Sequence, residues 1–100
     1  PIKWAAPEIM MYGKFTANSD VWSFGILLWE IFSFGGTPYT GIKNRDMANY
    51  LMQGERLSSP PLCPAPMFKI MKSCWKMTPE ERPGFDELLN EMLKVEGSIS

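Results

Sequence analysis

One stretch governs what this chain can fold into. Val21-Trp22-Ser23-Phe24-Gly25-Ile26-Leu27-Leu28-Trp29-Glu30-Ile31-Phe32 is apolar on nearly every face when wound as an α-helix. A helix without a polar face is buried all round, so it is expected at the centre with other elements packed about it. Ser19 reads as its cap, and Asp20 falls in its first turn, where a carboxylate favours the positive helix end. Adjacent glycines and a proline in Gly35-Gly36-Thr37-Pro38-Tyr39 stop it. Trp22, Phe24, Leu28 and Ile31 then read as core.

Shorter helices follow. Asn44 offers a cap for one carrying Met47, Tyr50 and Leu51 on a single face and closed by Gly54. The proline-rich run from Ser58 to Pro66 reads as an extended loop, with Pro66 as the first residue of the next helix. Met67, Ile70, Met71, Cys74 and Trp75 form a continuous stripe there, and Phe85, Leu88, Leu89, Met92 and Leu93 repeat the spacing in a last helix capped by Gly84. Pro1 to Trp4 reads as extended, and no other segment alternates as a strand. The fold class is mainly α, built around one buried central helix.

Composition removes whole classes of chemistry. Ten Lys+Arg against eleven Asp+Glu leave a formal charge of −1, so no basic field points to nucleic acid or to an anionic membrane. The chain has no histidine, which excludes His-based general bases, triads and metal sites within it. Cys63 and Cys74 lack CxxC spacing, so neither a disulfide framework nor a zinc site is indicated, and a reduced, intracellular setting fits. No signal peptide is visible, and the longest apolar run, Ile26 to Phe34, is short, carries Glu30 and cannot span a bilayer. The chain opens at Pro1 in the middle of a motif and is expected to be a segment of a longer protein.

Specificity comes from five segments in order. Pro1-Ile2-Lys3-Trp4 leads into Ala6-Pro7-Glu8; Ser19-Asp20-Val21-Trp22-Ser23-Phe24-Gly25 follows, then Cys74-Trp75, then Arg82-Pro83. Ala-Pro-Glu is the tripeptide that closes the activation segment of protein kinases. The ordered set resembles the C-terminal part of the large helical lobe of a protein tyrosine kinase domain, across essentially the whole chain. On that resemblance residues 1–97 are a partial kinase domain and 98–100 a C-terminal tail.

The resemblance implies roles residue by residue. Pro1, Ile2, Lys3 and Trp4 would form the floor for the incoming tyrosine, with Pro1 against the phenol ring and Lys3 favouring acidic peptides. Glu8 would pair with Arg82, a bidentate clamp between loop and helix. If so, reversing the charge of Glu8 destabilises the domain, and reversing Arg82 as well partly restores it. Asp20 resembles the aspartate that holds the catalytic loop, and Trp22 supports the same region from the core. Ala5 and Gly84 depart mildly from the family pattern, which more often has Thr or Met at the first and Ser or Thr at the second.

The implied activity is transfer of the γ-phosphate of ATP to tyrosine in protein substrates, with ATP and Mg²⁺ as cofactors of the parent kinase. None of the catalytic parts, from the glycine-rich loop to Asp-Phe-Gly, occurs in this sequence. The chain alone is therefore expected to bind neither cofactor, to be inactive and to fold poorly without the rest of the lobe. The implied setting is the cytoplasm, as a free kinase or as the intracellular part of a receptor. Two other readings stand beside it: a pseudokinase or scaffold lobe used for protein binding, and a helical module offering Pro61-Leu62-Cys63-Pro64 as a PxxP ligand.

Overall fold

The computed structural model describes residues 1–99. Five α-helices, α1 (Pro7–Tyr12), α2 (Ala17–Phe32), α3 (Met47–Met52), α4 (Ala65–Cys74) and α5 (Phe85–Ile99), alternate with three 3₁₀ turns, and no strand occurs among the described residues. Helix α5 runs through positions assigned above to a tail, and Ser100 lies outside the described residues.

Helix α2 begins earlier than its sequence signal. Thr16 caps it, accepting the Ser19 backbone N–H at 3.3 Å, while Ser19 Oγ accepts the Thr16 N–H at 2.7 Å. Ser19 is thus the third helical residue of a reciprocal capping box rather than the cap itself. At the other end, Gly35 N–H bonds to Glu30 O at 2.9 Å, and Phe34 is left-handed at φ 57°.

The central helix is buried on one side only. Val21, Trp22, Ile26 and Leu28 are buried, whereas Leu27 and Ile31 remain 48% and 58% exposed. Ile31 is therefore not core, and Phe24 is only half-buried, edge-on to Phe85 with ring centroids 5.7 Å apart. The reason is supply: α4 lies against one side of α2, and too few elements remain to cover the opposite side. Helix α4 comes close because α2 presents Gly25 there. A Cβ at that position would stand 2.6 Å from Cys74 Cβ and 2.7 Å from Trp75 Nε1.

The stripe of α4 is buried as its spacing requires: Met67, Ile70, Met71 and Cys74, followed by Trp75. Burial pushes the Cys74 thiol up to about 12, offset in part by Ser73 and Arg82. Pro66 is the second residue of α4, not the first. Helix α5 is rotated from expectation. Leu88 and Val95 are buried and Met92 half-buried, while Leu89, Leu93 and, apart from its contact with Phe24, Phe85 remain exposed. Both sets recur at helical spacing, and only the position of α4 selects between them.

Asn44 does not cap α3. It opens a 3₁₀ turn, Asn44–Asp46, that runs directly into the helix with no side-chain cap. Gly54, at φ 91°, follows its end. In the proline-rich loop Leu62 has φ 70° and is exposed, so Pro61 to Pro64 is turned rather than a continuous polyproline helix. No helix among the described residues is long and apolar enough to cross a membrane.

Candidate functional site

Residues Ile2–Trp4 form a 3₁₀ turn, not an extended segment, closed by Trp4 N–H to Pro1 O at 3.2 Å and Ala5 N–H to Ile2 O at 3.1 Å. Helix α2 holds this turn at two points. Ser23 Oγ donates to Trp4 O at 2.8 Å, and the Trp4 indole Nε1 donates to Glu30 Oε1 at 2.7 Å. Ser23 and Glu30 are seven residues apart, about two helical turns, so one face of α2 carries both anchors. The indole bond ends on a carboxylate, which makes it one of the stronger kinds. Pro1 is exposed, and Ile2, Lys3 and Trp4 are half-buried, so the turn remains reachable.

The second feature lies where α1 meets the chain before α5. Arg82 follows the 3₁₀ turn Pro79–Glu81, and its side chain is fully buried. Its Nη1 donates to Glu8 Oε2 at 2.6 Å and its Nη2 to Glu8 Oε1 at 2.8 Å, a two-pronged pair. Nε donates to Lys76 O at 2.9 Å, Nη1 also to Asn18 O at 3.0 Å, and Nη2 also to Met77 O at 3.5 Å. All five N–H donors of the guanidinium are thereby used. Its Cζ sits 5.0 Å from the centre of the Trp22 ring, itself wholly buried. One side chain thus ties α1, the start of α2 and the loop after α4 together.

Burial pushes the Glu8 carboxyl up, but the Arg82 hydrogen bonds, its own backbone N–H and the Arg82 charge outweigh that and hold it below the ordinary value of 4.5. A carboxyl with a depressed folded pKa contributes stability that is present above its unfolded pKa and lost as pH falls through the folded one. Stability is expected to drop as pH falls below about 4.5, and to drop less steeply in Glu8→Gln. Urea midpoints between pH 7 and pH 3 for both proteins measure this; identical slopes would contradict it.

Asp20 lies exposed in the first turn of α2, and none of the described residues bonds to its side chain. Two residues of α2 to which sequence reasoning assigned no role anchor the turn: Ser23 and Glu30. Glu30 was legible as the one charge between Val21 and Phe32, in the apolar body of the helix, a position that demands a partner. Among the described residues no three of His, Cys, Asp or Glu gather as a metal site. No GxGxxG or GxxxxGK spacing occurs either.

The model of the family "Protein tyrosine and serine/threonine kinase" matches residues 1–92. Tyrosine-protein kinase Fer of Rattus norvegicus is 47% identical over 100 residues, covering 100% of this chain and 12% of that protein. The Homo sapiens Fer gives the same identity and coverage. Tyrosine-protein kinase csk-1 of Caenorhabditis elegans is 44% identical over 99 residues, 99% of this chain and 18% of its own length. The chain thus spans less than a fifth of the relatives it matches.

Proposed function

Because the chain belongs to the protein tyrosine and serine/threonine kinase family, we propose that it is the substrate-facing part of the large lobe of a cytoplasmic tyrosine kinase. The reaction is transfer of a phosphoryl group to tyrosine in protein substrates, with ATP and Mg²⁺ as cofactors of the intact protein. Pro1, Ile2, Lys3 and Trp4 form the floor on which the tyrosine lies. The observation that carries this reading is the double anchorage of the turn on α2, through Ser23 and Glu30. A floor discriminates by length only if its height is fixed, and two bonds to the central helix fix it. Glu8, Arg82 and Trp22 hold the segment after the floor, and Asp20 is available to a neighbouring catalytic loop.

The test is phosphotransfer by the intact protein to matched peptides that differ only in carrying tyrosine or serine. Transfer to tyrosine with serine at background is the expected result. No transfer to either, with partner binding retained, would favour the scaffold reading. Trp4→Phe keeps an aromatic ring but removes the indole N–H. Losing a hydrogen bond to a charged group is expected to lower kcat/KM for the tyrosine peptide about tenfold, mainly through KM. Steady-state kinetics check it, and an unchanged KM would contradict it.

A further inference from the structure

A second arginine, Arg56, differs from Arg82 in one respect that matters. Its Cζ also lies over the Trp22 ring, at 5.1 Å, and it is held by backbone carbonyls: Nε to Trp75 O at 2.9 Å, Nη1 to Leu51 O at 2.9 Å and to Glu55 O at 2.7 Å. Those bonds use the Nε donor and both Nη1 donors, and leave Nη2 without a hydrogen bond among the described residues. No carboxylate is paired with it: neither Arg82–Glu8 nor Lys94–Glu91 involves Arg56. Burial pushes the Arg56 pKa down, the nearby Tyr39 phenol offsets this in part, and the Arg82 charge adds to the depression. A half-buried cation without an anion is an unfavourable arrangement that a ligand would relieve.

Arg56 lines a cleft of about 430 Å³ between the C-terminal end of α2, the loop at residues 37–42, α3 and the loop at residues 56–61. Tyr39, also on its wall, is 5% exposed and buries its hydroxyl with no hydrogen-bond partner. A buried hydroxyl left unpaired is uncommon and costly. Trp29 and Tyr50 supply aromatic wall, and Ser58 brings a hydroxyl not bonded to any described residue. One cation with spare donors, one orphan hydroxyl and flat apolar walls match a particular chemistry. We propose that this cleft binds a phosphate monoester carrying an aromatic body, with the ring between Trp29 and Tyr50 and the phosphate on Arg56 and, as the wall shifts to uncover it, on the Tyr39 hydroxyl.

Trp29 is a built-in reporter, because its indole Nε1 donates to Ser58 O at 2.8 Å on the cleft wall. The intact protein, labelled with ¹⁵N-tryptophan, is titrated with phenyl phosphate and separately with phenol, following the Trp29 indole signal. A saturable shift with the ester and none with phenol is expected. Arg56→Lys should weaken binding at least tenfold and Tyr39→Phe about tenfold, as hydrogen bonds to a charged group are lost. Arg56→Lys also loosens three carbonyl contacts, so if that variant unfolds, Tyr39→Phe decides, since it removes only an unpartnered hydroxyl. No saturable shift, an equal shift with phenol, or wild-type affinity in Tyr39→Phe overturns the proposal.

Discussion

Glu8→Leu is expected to destabilise the domain that carries this chain by about 3–5 kcal/mol, because it leaves the Arg82 charge buried and uncompensated. Arg82 has no exposed surface on its side chain, so solvent cannot replace the lost carboxylate without local opening. The pair cannot simply be exchanged. Arg82 also donates to Lys76 O, Asn18 O and Met77 O, and a carboxylate at that position would face three carbonyl oxygens. Double charge reversal, which the family resemblance suggests as a rescue, is therefore expected to fail. The informative partner is Arg82→Met. Each single change breaks the pair, whereas the double change removes both charges, so its cost should fall short of the sum by about 2 kcal/mol. Urea unfolding of the four proteins measures the coupling, and additive costs would show that Glu8 and Arg82 act independently.

Gly25→Ala should also destabilise, against the direction of helix propensity. In an open helix the change gains up to about 1 kcal/mol. Here the added methyl meets Cys74 Cβ at 2.6 Å and Trp75 Nε1 at 2.7 Å. Cys74 Cβ is attached directly to the backbone and cannot rotate away, so α2 and α4 must part by roughly 1 Å to restore ordinary carbon contacts. Overpacking of this kind costs about 1–3 kcal/mol, and the net loss is expected near the upper end of that range. Gly97→Ala is the control, because nothing lies within 4 Å of its added Cβ in α5. Thermal melting should move in opposite directions for the two. A stabilised Gly25→Ala would mean that α4 does not approach α2 as described.

What the sequence made legible follows from where its signals come from. The stripe of α4 was readable because its apolar positions, with Trp75 just past its end, lie on one face and that face is buried. The face of α5 was not, because Phe85, Leu89 and Leu93 are as regularly spaced as Leu88, Met92 and Val95, and only the neighbour decides. Thr16 was passed over since its box partner is Ser19 rather than the usual Glu or Gln. The contact of Glu8 with Arg82 spans 74 residues and was reachable only through a family resemblance, since no local pattern joins them. Arg56 gave no signal at all. Its partners are backbone carbonyls, and these leave no trace in side-chain patterning.

Substrate choice turns on whether α2 sets the height of a floor made for tyrosine. The most direct measurement is kcat/KM of the intact protein for matched tyrosine and serine peptides, in the native sequence and in Glu30→Gln, which weakens the carboxylate end of the Trp4 bond. Transfer to tyrosine over serine, with the tyrosine value reduced in Glu30→Gln while the serine value stays at background, is the predicted result. Equal use of the two peptides, or a tyrosine preference untouched by Glu30→Gln, would contradict it.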